Sequence, residues 1–173
     1  MEEYAKTLKL AAFLLEYPDN NWWKEFPEYR AAVNELQSDQ SKTIFEEIFA
    51  HAEQMGHKEF EDQYVRVFDF SQNTNLYLTT HDRTDFGKQS NEMHVYKNLF
   101  LSNGFDTDKE LPDYLPALLE LCAAVEPKAA LNILSTIKSK LELLRDRFIE
   151  AKLIYAFLMD IVLTQLAVLE VSA

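Results

Sequence analysis

Apolar positions recur along this chain at the spacing of helices rather than strands. Tyr4, Leu8, Ala11, Ala12 and Leu15 share one face of a helix predicted from Glu3 to about Tyr17. Pro18, with Asp19, Asn20 and Asn21 behind it, ends that helix and starts the next element. Trp22, Phe26, Tyr29, Val33 and Leu36 carry an apolar stripe onward, and Pro27 is expected to end or kink the second helix near Phe26. A third helix is predicted from about Ser41 to Gly56, burying Ile44, Phe45, Ile48, Phe49 and Ala52. Gly56 suits its C-terminal cap. A fourth runs from about Lys58 to Phe68, with Phe60, Tyr64, Val65 and Phe68 in register.

The pattern breaks at residues 69–84, DFSQNTNLYLTTHDRT, where Asn73 and Asn75 are turn formers around a short apolar island, Leu76, Tyr77 and Leu78. Such long loops in compact domains are often functional. Helix returns from about Asp85 to Asn103 on Met93, Tyr96, Leu99 and Phe100, and Gly104 stops it. A second loop, FDTDKELPDYLP, follows, with Pro112 placed for a first helical turn. Helices are then expected from Asp113 to Val125, from Pro127 to about Arg147, and from about Ile149 to Val171. The last is strongly apolar, yet its run falls short of the ~20 residues a membrane span needs and holds Asp160, Gln165 and Glu170. It reads as a buried or partner-covered helix, or as an exposed dimerisation face. The expectation is one all-α domain over residues 1–173, a bundle of about seven to nine helices.

Composition supports this picture. Three glycines in 173 residues leave little for tight hairpins or phosphate-cradling loops. The net charge of −12 repels phosphate backbones and attracts basic peptides or basic protein surfaces. The single cysteine, Cys122, excludes an intrachain disulfide and a cysteine-based zinc site, and fits a reducing compartment. The N-terminus carries Glu2 and Glu3 and lacks the basic region of a secretory signal. A cytoplasmic protein is expected.

Candidate chemistry is sparse. Di-metal bundles use Glu-x-x-His pairs one helical turn apart. Here Ile48, Gln54, Leu78 and Asn91 stand three before His51, His57, His81 and His94, so the motif is absent. Cys122 lies in the apolar run LLELCAAV, where a thiol is ordinarily inert core. Nucleophile elbows and Gly-rich phosphate loops are missing. No metal or catalytic residue is assigned. The acidic residues are more informative. Between Glu46 and Asp69 lie Glu47, Glu53, Glu59, Glu61 and Asp62 as well, opposed by Lys58 and Arg66. Singly each reads as a solvated side chain. Together, beside an aromatic-rich loop, they suit a groove for a helix with basic and apolar faces.

Three stretches then resemble a known family: LLEYPD at 14–19, YVRVFDFSQNTNLYLTTH at 64–81 and ELPDYLPALLEL at 110–121. In this order and spacing, over roughly Leu8 to Val125, they resemble the nitrate reductase assembly chaperones, the NarJ-type branch of the TorD/DmsD family. The resemblance implies an all-helical protein without enzymatic activity. Such a protein binds the unfinished catalytic alpha subunit of respiratory nitrate reductase through its basic N-terminal segment. It assists molybdenum cofactor insertion without stably holding a cofactor itself, and delays membrane attachment. Independently of the resemblance, a monomer or a homodimer is expected.

By the same resemblance, client binding falls on Tyr64, Phe68 and Asp69, then on Leu76, Tyr77 and His81, and on Asp85. The loop motif falls on Glu110, Leu111, Pro112, Asp113, Tyr114, Leu115 and Pro116. Glu59, Glu61 and Asp62 are the carboxylates placed at the groove. Beside these roles stand plainer ones: Tyr64 and Phe68 as core, His81 as a turn cap, the prolines as chain-shaping residues. One departure is clear. Where the family has Gly-Asp-Ser-Arg followed by Arg-Gly, this chain reads HDRTDFGKQSNE. Asp85 stands for the aspartate, while Gly87, Gln89 and Ser90 replace the arginine–glycine pattern. The client is accordingly nitrate reductase or another molybdoenzyme of the DMSO reductase family. A different class, a small helical enzyme or ligand-binding protein, would instead use the carboxylate-rich surface for chemistry.

Overall fold

The computed structural model describes residues 1–81 and 86–173. Seven α-helices carry the described chain: α1 Glu3–Leu15, α2 Asn20–Ala32, α3 Asp39–Tyr64, α4 Phe86–Leu101, α5 Leu115–Ala124, α6 Pro127–Glu150 and α7 Ala156–Ser172. Among the described residues there is no strand; a single antiparallel bridge joins Tyr77 to Tyr114. The all-α expectation holds.

Local chemistry sets most of the boundaries. The Asp19 carboxylate accepts from the Trp22 N–H at 2.8 Å and caps α2. The Ser38 hydroxyl does the same for α3 through Ser41 N–H at 3.2 Å. Gly104, at φ 84°, closes α4: the Phe105 N–H reaches the Phe100 carbonyl at 3.0 Å and the Gly104 N–H that of Leu101 at 3.1 Å. Gly56, at φ 80°, puts a kink inside α3, so the two helices expected on either side of it meet end to end. Beyond Tyr64 the backbone widens into a π-helical turn, Val65–Asp69, with the Phe70 N–H on the Val65 carbonyl at 3.1 Å.

Three expectations are corrected. Pro27 does not interrupt α2, which runs unbroken through it. Pro27 itself is exposed, while its neighbours Trp22 and Phe26 are buried against Phe13 and Phe49, packing that outweighs one missing hydrogen bond. The first-turn proline of α5 is Pro116, not Pro112, because α5 starts at Leu115. The last helix starts at Ala156 rather than Ile149. A turn at Lys152, φ 58°, separates it from α6, and the apolar Leu153, Ile154 and Tyr155 had disguised that turn as continuing periodicity.

α1 is the central element: ten of its residues are buried, and it packs against α5 and α7 with α2 and α3 alongside. α6 covers α7 and α5. An aromatic cluster joins α1 to α2 and α3, with Phe13 stacked between Trp22 at 4.7 Å and Tyr29 at 4.0 Å. The Trp22 indole N–H donates to the Phe13 carbonyl at 2.7 Å. Burying α1 so completely fixes where its C-terminus emerges, and there the quoted motifs meet. Among the described residues no helix is long and apolar enough to cross a membrane.

Candidate functional site

The end of α1, the π-turn with its following loop, and the loop before α5 converge. The Tyr64 hydroxyl donates to the Leu15 carbonyl at 2.7 Å and lies 3.3 Å from the Tyr114 hydroxyl, so one buried phenol touches all three motif stretches. The Tyr17 ring stands edge-on to Tyr64 at 5.6 Å, and its hydroxyl donates to Glu61.

The two loops are stitched together by backbone and by one carboxylate. The Leu78 N–H donates to the Asp113 carbonyl at 3.0 Å, and the Leu115 N–H to the Leu76 carbonyl at 2.9 Å. The Asp113 side chain is buried, and its Oδ2 accepts from the Thr79 N–H at 3.2 Å and the Thr79 hydroxyl at 2.7 Å. This pairing sets the Tyr77 and Tyr114 rings 5.0 Å apart. Asn75 shapes the first loop by accepting from the Tyr77 N–H at 3.0 Å and the Thr80 hydroxyl at 2.9 Å. His81 anchors it to α6. Its Nε2 lies 2.7 Å from the Asn75 carbonyl and donates there, which leaves Nδ1 to accept from the Arg147 guanidinium. That guanidinium also donates to the His81 carbonyl at 3.2 Å.

The resulting face is acidic and aromatic. Burial, then contact with the Glu120 carboxyl, then the charges of Glu25 and Asp19 push Glu16 up to about 9. Burial raises the Tyr77 phenol, reinforced by Glu110, Asp113 and Asp69. The bond to Glu61, with Asp69 and Asp19 nearby, raises Tyr17. Tyr64 and Tyr114 are raised chiefly by burial. Asp69 reaches Tyr17, Tyr64 and Tyr77 alike, and Glu110 reaches Tyr77 and Tyr114. Large apolar side chains stand out on the same segments: Tyr17 is 39% exposed, Phe70 82% and Leu111 56%. Beside Glu110 and Glu120 opens a cleft of about 590 Å³ lined by Phe100, Phe105 and Leu121.

The expected site residues therefore divide. Tyr64, Phe68, Leu76 and His81 are buried, and Phe68 packs edge-on against Tyr155 at 4.9 Å. Of the aromatics expected to carry affinity if accessible, Tyr64 and Phe68 offer no open surface here, whereas Tyr77 is half-buried. Asp69 is exposed. Glu59 and Asp62 are exposed on α3, and Glu61 turns towards Tyr17. In the second loop Glu110 and Leu111 are exposed, Tyr114 is half-buried, and Pro112, Asp113, Leu115 and Pro116 are interior. Asp85 lies outside the described residues. The acidic run does not act as one set: Glu46 and Glu53 both bond Arg30, at 2.6 and 2.9 Å, in a separate cleft between α2 and α3. Sequence reasoning passed over Glu16, Tyr17, Phe70 and Glu120. The signal for all four was present, since Glu16 and Tyr17 sit inside LLEYPD, Phe70 inside YVRVFDFSQNTNLYLTTH and Glu120 inside ELPDYLPALLEL.

Among the described residues no group of three His, Cys, Asp or Glu side chains is placed to hold a metal ion. Cys122 is fully buried, and burial pushes its thiol up, away from the reactive thiolate.

Comparison with known proteins bears on the family of the chain. The chain is 32% identical over 161 residues to the probable nitrate reductase molybdenum cofactor assembly chaperone NarJ of Bacillus subtilis (strain 168), covering 92% of this chain and 88% of that protein. It is 33% identical over 95 residues to the nitrate reductase-like protein NarX of Mycobacterium tuberculosis, where the match covers 54% of this chain and 15% of that much longer protein. The profile of nitrate reductase delta subunits matches residues 24–156, which include the π-turn and both motif loops. Over that span of sequence, and with an all-helical fold, the chain belongs to the nitrate reductase delta subunit family, the family of NarJ-type assembly chaperones.

Proposed function

We propose that this chain is a cytoplasmic chaperone that binds the unfinished alpha subunit of a respiratory nitrate reductase through that subunit's basic N-terminal segment. On this reading it holds the subunit for molybdenum cofactor insertion, keeps it from the membrane until then, and itself retains no cofactor. The observation that carries the reading is the convergence of LLEYPD, the π-turn loop and ELPDYLP on one acidic, aromatic face. The family's role in assembly, rather than catalysis, supports it.

The physics of the face suits a helix with one basic and one apolar side. Exposed Phe70, Leu111 and Tyr17 with half-buried Tyr77 supply desolvated contact, where most binding energy concentrates. Asp69, Glu110 and Glu120 meet Lys or Arg at the rim, each exposed pair contributing only ~0–1 kcal/mol while raising the on-rate. Tyr64, Asp113 and His81 act beneath, holding the loops in register.

A pull-down of the chain from anaerobically grown native cells, read by mass spectrometry, tests the reading. The expected main partner is a nitrate reductase alpha subunit. Capture of a different molybdoenzyme subunit would reassign the client. Copurification of a metal or small molecule, with no such subunit, would overturn the chaperone reading of this face.

A further inference from the structure

One cleft departs from the acidic character of the chain. Asp and Glu outnumber Lys and Arg by 29 to 17, so an arginine here readily finds a carboxylate. Arg30 bonds Glu46 and Glu53, and Arg145 bonds Asp146 and Asp160. The other two described arginines differ. Arg66, exposed on the π-turn, meets no carboxylate among the described residues. Arg147 of α6 donates to the ring and the carbonyl of His81, neither of which is negatively charged. Both arginines line a cleft of about 470 Å³ between the loop after the π-turn and the end of α6. Ser71 and Asn73 of that loop bring a hydroxyl and an amide to the cleft, and neither side chain is bonded among the described residues. Half-buried Val67 and Leu153 add an apolar wall. Glu150, exposed, is the one carboxylate at the rim among the described residues. The last carbonyls of α6 do not add to it, since those of Arg147, Phe148 and Ile149 accept from the N–H groups of Ala151, Leu153 and Lys152.

We propose that this cleft binds a small organic phosphate, with the phosphate group on Arg66, Arg147, Ser71 and Asn73 and the organic body against Val67 and Leu153. The number of donors selects phosphate over carboxylate. A carboxylate has two oxygens, which one planar guanidinium satisfies in a bidentate pair. A phosphomonoester carries close to two negative charges and three terminal oxygens, which call for a second cation and further donors. Arg147 supplies them without releasing His81: a guanidinium has five N–H donors, and His81 takes two. Size selects an organic phosphate over a bare ion, because the cleft falls within the ~300–1,000 Å³ of small-molecule sites. The net charge of −12 repels such a ligand at a distance. That repulsion is screened over ~10 Å at 0.1 M salt, whereas the two guanidiniums act at contact.

Calorimetric titration of the full chain with phenyl phosphate, inorganic phosphate and benzoate, at about pH 8 where phosphomonoesters are dianions, tests the proposal. Phenyl phosphate should bind at a single site, more tightly than inorganic phosphate and about tenfold more tightly than benzoate. Arg66→Gln should weaken phenyl phosphate binding about tenfold. Glu150→Gln should tighten it about two- to threefold. Both side chains are exposed, so helical circular dichroism should stay unchanged. Lys128→Gln makes the same change in net charge as Arg66→Gln but at the far end of α6, and should leave binding as it is. Absence of saturable phenyl phosphate binding overturns the proposal. So does binding that ignores Arg66→Gln and Glu150→Gln, or that Lys128→Gln weakens as much as Arg66→Gln does. Benzoate binding as tightly as phenyl phosphate would overturn the phosphate assignment and give the cleft to a carboxylate of a protein partner. Inorganic phosphate binding as tightly as phenyl phosphate would overturn the role of Val67 and Leu153.

Discussion

Glu16 shows how a single side chain is tuned by neighbours far away in sequence. It sits at the end of α1, is half-buried, and meets Glu120 from α5. Its ionisation is displaced from the ordinary carboxyl range up to about 9, first by burial and then by Glu120. The unfolded chain ionises Glu16 at ~4.3, so the folded state binds the proton more tightly. Stability linked to Glu16 is therefore fully present below that range and is lost as pH rises towards about 9. Glu16→Gln should flatten the fall in urea midpoint between mildly acidic and mildly alkaline pH. A midpoint that falls as steeply in the variant as in the wild type would show that the strain lies elsewhere. None of this was legible in the sequence. LLEYPD announced Glu16 as part of a motif, but nothing along the chain says that it faces Glu120. Tyr64 and Phe68 make the complementary case. Their spacing showed one helical face without saying whether that face met a client or the core, and only packing against Leu15, Tyr114 and Tyr155 decides for the core.

Element boundaries followed the strength of their local signals. Asp19, Ser38, Gly56 and Gly104 mark turns or caps by chemistry that acts within a few residues, and each marks a boundary or kink in the fold. The end of α6 has no such marker. Lys152 occupies the positive-φ position that glycine ordinarily fills, with the Leu153 N–H on the Phe148 carbonyl at 2.9 Å and the Lys152 N–H on that of Ile149 at 3.0 Å. Gly56 presents the opposite case, a glycine at φ 80° with no atom within 4 Å of an added Cβ. Both positions then report backbone conformation rather than contact. Lys152→Gly should stabilise the fold by ~0.5–1 kcal/mol, and Gly56→Ala should destabilise it by ~1 kcal/mol despite the open space. Equilibrium urea unfolding reads both, and matching signs for the two substitutions would contradict this assignment. Pro27 is the instructive failure of a strong local signal. Its effect on α2 is overridden by Trp22 and Phe26, whose burial against α1 and α3 depends on partners that a local pattern does not contain.

At the scale of the whole molecule, charge and apolar surface meet on one face. The carboxylates that tune the site gather where α1, the π-turn and the α5 loop meet, beside exposed Tyr17, Phe70 and Leu111. Composition fixes the sign of the charge, and from it comes the expectation of a basic partner. It did not foretell that Arg30 withdraws Glu46 and Glu53 from that role. The most direct test of the acidic face is calorimetric titration of the full chain with a basic, amphipathic peptide from the N-terminus of the nitrate reductase alpha subunit, at several salt concentrations. It should be run for the wild type, for Asp69→Asn with Glu110→Gln, and for Glu59→Gln, Glu61→Gln and Asp62→Asn together. Wild-type affinity should fall with added salt, since exposed charges are screened over ~10 Å at 0.1 M. Asp69→Asn with Glu110→Gln should bind several-fold more weakly and with a flatter salt dependence. The triple variant should respond less, because of those three carboxylates only Glu61 turns towards Tyr17. Binding that ignores both salt and the Asp69 and Glu110 substitutions would contradict the assignment of this face to the client.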